Sequence, residues 1–198
     1  MRHLLLCTGI LTFLPSWLLA GPLWAQSPLV YDDPTFAWSD NRDPEAPRPS
    51  PNAFAGLQIG STRVMIAYGS PGVRGRTIFG GLVPYGAVWR TGANEATTIT
   101  FTGDVLVEGT AVAAGTYSLF TIPGERMWTI ILNAENNQWG AYNYDEGKDV
   151  LRFTAPVREA SFVERLRFGF EAVEPQAFAA SVVLTWDTVA VAFRVEEP

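Results

Sequence analysis

Between residues 165 and 172 the sequence alternates: Leu166, Phe168, Phe170 and Ala172 are interleaved with Arg165, Arg167, Gly169 and Glu171. A period of two puts the first set on an apolar face and the second in water, which is the pattern of a half-buried β-strand. Val189, Val191, Phe193 and Val195 repeat it near the C-terminus. From Asn52 onward short β-branched and aromatic runs recur between Gly, Pro and Asn turn residues at intervals of about ten residues, and no helical period persists. Further strands are predicted at residues 63–68, 97–102, 105–107, 116–122, 127–132, 150–153 and 181–186. Pro123-Gly124 turns the chain between two of them as a hairpin, and Glu108-Gly109 and Ala114-Gly115 punctuate similarly. About eight to ten strands over residues 52–198 are the spacing of one all-β domain, an antiparallel β-sandwich or jelly roll.

Residues 116–132 carry apolar side chains on both faces: Tyr117 and Leu119 against Phe120 and Ile122, then Trp128, Ile130 and Leu132 against Met127 and Ile131. Such strands are predicted to lie centrally, covered on both sides. There is no internal repeat and no sign of a second globular domain.

The N-terminal segment has a different character. Met1-Arg2-His3 leads into an apolar run over residues 4–25, broken by Pro15, Gly21 and Pro22, which reads as a secretory signal peptide over residues 1–25. Cleavage is expected after Ala25, with Ala20 as the second site and retention as a membrane anchor as the alternative. The mature chain is expected in the periplasm or outside the cell, without a membrane span. Residues 26–51 are rich in Pro and Asp and too poor in apolar side chains to repay ordering, so they read as a flexible linker. Tyr31, Phe36 and Trp38 are the exceptions and could dock as a short arm.

Loss of residues 1–25 removes Cys7 and His3, the only cysteine and the only histidine. Thiol nucleophiles, disulfides, histidine-based zinc sites and Ser-His-Asp triads leave with them. With Arg2 gone from the 14 Lys and Arg residues, 13 basic groups stand against 20 acidic ones, about −7 overall. That balance, with no basic run, argues against a nucleic-acid partner. Lys148 is the sole lysine, so the basic charge is nearly all arginine, suited to fixed bidentate pairing. Asn143, Asp145, Glu146 and Asp149 offer oxygens to calcium, but their spacing fails the EF-hand pattern. No metal and no cofactor is expected.

Two stretches gather chemistry. In "FGGLVPYGAVWRTGANEATTITF", residues 79–101, the backbone must bend at Gly80, Gly81, Gly86 and Gly92, with Pro84 fixing a corner. On one reading Arg90, helped by Arg76, presents a planar donor fork to a carboxylate, phosphate or sugar hydroxyl, with Tyr85 or Trp89 as an apolar wall and Asn94 and Glu95 nearby. On the other, Trp89 plugs the end of the sandwich, Arg90 pairs with Glu95, and Asn94 caps a turn. The glycines are no phosphate-binding fingerprint, because neither the P-loop lysine nor the dinucleotide spacing follows. The second stretch, residues 136–146, mixes Trp139 and Tyr142 with amides and acids, as a carbohydrate-binding surface would. Its alternative is a solvated loop whose rings fold back into the core. Without His or Cys, catalysis at neutral pH would fall most naturally to two carboxyls in glycoside chemistry, Glu95 with Asp145 or Glu146.

Four motifs carry a family resemblance. They are residues 80–86 (GGLVPYG), 88–97 (VWRTGANEAT), 114–124 (AGTYSLFTIPG) and 138–142 (QWGAY). Together, and in this order, they resemble the domain-of-unknown-function 2911 family of exported bacterial proteins, over a span from about Ser50 to the C-terminus. The resemblance implies a β-rich domain and assigns no activity, cofactor or catalytic residue. Members tend to have Arg before the proline at position 71, where this chain has Ser70.

Two functions therefore stand as expectations. One is a non-catalytic binding protein for a small polar ligand, a sugar or anion, at residues 89–95 with Trp139 and Tyr142. The other is a structural or interaction module for another envelope protein, with a glycosidase-like enzyme third. Ligand binding requires Arg90 and an aromatic ring exposed together, whereas partner binding requires an apolar patch or a long unpaired strand edge.

Overall fold

The computed structural model describes residues 48–174 and 178–198. The expected signal peptide, residues 26–47 of the expected linker, and Tyr31, Phe36 and Trp38 with them, lie outside the described residues.

Nine strands form one antiparallel sheet: β1 (Asn52–Ile59), β2 (Thr62–Gly69), β3 (Thr98–Phe101), β4 (Val105–Val107), β5 (Thr110–Val112), β6 (Gly115–Ile122), β7 (Met127–Asn133), β8 (Asp149–Glu174) and β9 (Ala179–Glu196). Their order in the sheet is β1-β2-β3-β6-β7-β8-β9-β4-β5. A 3-10 turn, Glu146–Lys148, precedes β8. The all-β antiparallel expectation holds, and nine strands fall within the expected number.

The sheet folds over on itself at β8. This strand pairs with β7 as far as Pro156 and with β9 from Val157 onward, so it passes from one layer to the next. The first layer is β1, β2, β3, β6, β7 and the start of β8, and the second is the rest of β8, β9 and the β4–β5 hairpin. Rings from the two layers meet between them: Tyr68 on Phe168 at 4.9 Å and Phe153 on Phe193 at 5.7 Å.

The long strands were not visible as such in the sequence, and a phase change explains why. In β9 the core-facing residues are Ala180, Val182, Leu184 and Trp186, then Val189, Val191, Phe193 and Val195, so even positions give way to odd ones. Between them Asp187, at φ 56°, pairs opposite Val163 where the ladder slips. The extra residues of the slip lie in β8, where Glu159, Val163 and Arg167 stand opposite Val189, Asp187 and Thr185, four positions for every two of β9. The same switch occurs in β8, from Leu151, Phe153, Ala155 and Val157 to Leu166, Phe168 and Phe170. Residues 150–153 and 165–172 are therefore parts of one strand, as are 181–186 and 189–195. Strand β1 was missed because two of its core-facing residues are alanines, Ala53 and Ala55, beside Leu57 and Ile59.

The central hairpin is covered on both faces, as residues 116–132 predict. Leu119, Trp128, Ile130 and Leu132 enter the main core, while Phe120 and Ile131 point the other way into a second cluster with Ala96. Val88, Ile122, Ala141 and Tyr144 pack around that cluster. Burying Phe120 and Ile131 there stabilises by about 1.5–3 kcal/mol each. The two chemistry-bearing stretches thus share one apolar base.

Candidate functional site

The chain leaves the sheet at Gly69 and returns at Thr98. The excursion is drawn in at a narrow neck, where the Ala93 amide donates to the Gly69 carbonyl at 3.2 Å. A side chain at Gly69 would run into the Ala93 carbonyl, and one at Gly92 would come within 2.8 Å of the Thr97 hydroxyl, so both positions need glycine for close approach. Further out, Trp89 and Thr121 exchange both backbone hydrogen bonds, at 2.7 and 2.9 Å, and so extend the sheet beside β6.

Residues 90–97 bulge out between Trp89 and the start of β3 at Thr98. The Thr97 amide closes the bulge on the Arg90 carbonyl at 3.1 Å. Thr91 and Asn94 turn it, at φ 56° and 64°. A β-branched residue at positive φ carries strain of about 1–3 kcal/mol. Thr91 is held there by its buried hydroxyl, which donates to the Trp89 carbonyl at 3.2 Å, and by the Thr97 hydroxyl, which donates to the Thr91 carbonyl at 3.0 Å.

The two stretches singled out in the sequence come together through an isolated bridge between Glu95 and Trp139. The Ala96 amide donates to the Gln138 carbonyl at 2.9 Å, and the Gly140 amide to the Asn94 carbonyl at 3.1 Å. At this seam Trp139 is 54 % and Tyr142 84 % exposed. Tyr142 lies close enough to Arg90 to act on its charge.

Arg90 itself is half-buried, and its Nε has no hydrogen-bond partner among the described residues. Burial holds the guanidinium below its ordinary range, and Tyr142 acts the other way. Arginine stays charged under such a shift, so a half-buried cation stands beside an exposed ring. The expected partner, Glu95, is engaged elsewhere: both its oxygens accept from one Arg48 nitrogen at 2.8 Å, and it is only 3 % exposed.

The remaining candidates have structural work. The Trp89 ring is buried among Phe79, Trp128 and Trp186, and its Nε1 donates to the Gly92 carbonyl at 3.1 Å, as the plug reading of this loop requires. Arg76 ties up the Val73 and Gly72 carbonyls at 3.1 and 2.7 Å. Tyr85 is exposed and packs over Gly80, on the part of the loop held to Pro123. Asn94 donates to the Ser50 carbonyl at 3.1 Å. Ser70 is buried, with its hydroxyl on the Leu166 carbonyl at 2.7 Å.

The acids proposed for glycoside chemistry are likewise occupied. Asp145 caps the 3-10 turn by accepting from the Gly147 amide, and Glu146 pairs with Arg152. Asp149 accepts from Asn133 at 2.7 Å and from the Tyr144 hydroxyl at 2.6 Å. Tyr144 is pushed well above the usual phenol range, first by burial and then by Asp149. Among the described residues no group of three or more His, Cys, Asp or Glu could hold a metal ion. None of their helices is long and apolar enough to cross a membrane.

Sequence reasoning missed Arg48 as the partner of Glu95, because linker composition hid it 47 positions away. It also missed the strain at Thr91, for which the only cue is the crowding of Gly92 beside it.

The family model described as "Protein of unknown function (DUF2911)" matches residues 50–195. No curated protein and no solved structure matches the chain.

Proposed function

Because this chain belongs to the family described as Protein of unknown function (DUF2911), its activity has to be argued from its site, and we propose that it is an exported, non-catalytic binding protein for a small polar ligand bearing a carboxylate or phosphate. Arg90 supplies the donor fork, and Tyr142 and Trp139 supply faces for the ligand body. The observation that carries this reading is the half-buried Arg90 with an unpartnered Nε. A buried donor without an acceptor is destabilising, and an anion drawn against the guanidinium offsets its charge. Sugar acids combine the anion with a ring face that aromatic side chains can stack on. The occupation of Glu95, Asp145 and Glu146 by structural partners favours binding over two-carboxylate catalysis.

The test is a thermal-shift and calorimetric screen of the protein against acetate, citrate, glucuronate and phosphate. At least one should raise the melting temperature of the natural sequence and leave Arg90→Gln unmoved. A flat response of the natural sequence to all four sinks the reading. Export is tested separately, by sequencing the N-terminus of protein recovered from the cell envelope.

The second reading, an interaction module, draws on β1. This eight-residue strand ends the sheet and pairs with β2 alone among the described strands. Such an edge can take another strand. A photoreactive residue at Gln58 should then cross-link one partner in envelope extracts, and its failure to do so would remove this reading.

A further inference from the structure

Residues 48–51 read like a bound peptide. Arg48 sends one nitrogen to both oxygens of the buried Glu95 carboxylate at 2.8 Å. The next three carbonyls are each taken by a different donor of the domain: Pro49 by Arg74 at 2.7 Å, Ser50 by Asn94 at 3.1 Å and Pro51 by the Ser70 amide at 2.8 Å. The side chains of Pro49 and Pro51 face solvent. Recognition therefore rests on one arginine and a row of backbone carbonyls, the economy seen when proline-rich segments dock.

The groove is built by the domain rather than by its occupant. Asn94 is set at φ 64° and its carbonyl is fixed by the Gly140 amide, while Glu95 is positioned by its bridge to Trp139. Ser70 is locked by its hydroxyl bond to Leu166. Prolines suit the occupant because they bring no amide hydrogen to satisfy and restrict the chain before it binds. Glu95 is the selective element, since a buried carboxylate accepts a cation and penalises anything neutral.

We propose that this groove is a recognition site for an arginine between prolines, filled in the resting protein by its own residues 48–51, so that an Arg-Pro-Xaa-Pro segment offered by another chain binds by displacing them. The proposal does not depend on ligand binding at Arg90. A tethered occupant competes at an effective concentration in the millimolar range, so displacement is detectable once the internal arginine is removed.

The probe is a labelled peptide with the sequence of residues 45–53, Glu-Ala-Pro-Arg-Pro-Ser-Pro-Asn-Ala, followed by anisotropy on the full chain. It should bind Arg48→Ala at least about tenfold more tightly than the natural sequence and raise the melting temperature of that variant. The same peptide with Ala in place of Arg should do neither. Should Arg48→Ala fail to fold, Arg48→Lys, which keeps a cation in poorer geometry, should give the same ranking. Equal binding of the two peptides, equal binding to natural and variant proteins, or no binding to whichever variant folds would each overturn the proposal.

Discussion

Trp89 lies on Trp186 with 6.0 Å between ring centroids and 20° between ring planes, so a loop of the first layer is clamped onto a central strand of the second. Phe79 meets both rings edge-on at 6.1 and 5.9 Å, and Trp128 meets Trp89 edge-on at 6.1 Å. Trp89→Ala should cost about 3–5 kcal/mol by urea denaturation, the usual result of deleting a buried indole. Tyr85→Ala, on the exposed side of the same loop, should cost about 1 kcal/mol or less. A small loss at Trp89 would mean that the loop is not anchored through its ring.

Arg90 should behave in the opposite way. Because its buried Nε has no partner among the described residues, Arg90→Leu should leave stability unchanged or raise it by up to about 1 kcal/mol. The same variant should lose whatever thermal shift the natural protein shows with anions. A site held ready at the expense of stability predicts this combination; a purely structural arginine predicts loss of stability instead.

Arg48 and Glu95 should be unequal partners. The Glu95 side chain is 4 % exposed and that of Arg48 19 %. Arg48→Ala strands a carboxylate away from water and should cost about 3–5 kcal/mol. Glu95→Gln leaves a cation that can turn towards solvent, and should cost about 1–2 kcal/mol. In the double variant the losses should not add, because the second substitution removes the charge that the first stranded. Additive losses in denaturant melts would show that the two side chains do not depend on each other.

The fold was legible where one face is buried and the period stays in phase. Leu166, Phe168 and Phe170 read as a strand from sequence and are core-facing in β8. Phase changes defeat the same reasoning, since a slip such as that between Val163 and Asp187 looks like the end of one strand and the start of another. The site was legible in its residue types and not in its pairings. Arg90, Trp139 and Tyr142 stood out as chemistry, but Glu95 and Trp139 are joined by a bridge across 44 positions that no local pattern encodes. Arg48 was hidden for a related reason: composition measures whether a segment can build a core, and four residues docked by one side chain and three carbonyls build none.

Asp187 gives a direct test of the phase change in β9. It sits at φ 56°, where glycine is unstrained and β-branched residues are not. Asp187→Gly should be tolerated within about 0.5 kcal/mol, whereas Asp187→Val should cost about 1–2 kcal/mol. A Val variant as stable as the Gly variant would mean that β9 passes this point without leaving the extended region.

High pH should destabilise the protein through its phenols. Tyr144, Tyr68 and Tyr117 are all raised above the ordinary phenol value, in each case chiefly by burial; for Tyr144 Asp149 adds to it, and for Tyr117 Asp104. A group whose folded pKa is raised contributes stability that is complete below its unfolded pKa, about 10 for tyrosine, and is lost as pH climbs towards the folded value. Above pH 10 the unfolded chain has released phenolic protons that the folded chain still holds, so stability must fall with pH there. Tyr144 donates to Asp149 at 2.6 Å, and its ionisation would set a phenolate against that carboxylate. Tyr144→Phe should therefore cost about 1 kcal/mol at neutral pH, for the lost hydrogen bond, and flatten the fall above pH 10. Melting temperatures between pH 8 and roughly pH 11.5 measure both effects. If the natural and Phe proteins lose stability in parallel over that range, Tyr144 does not hold its proton through the contact with Asp149.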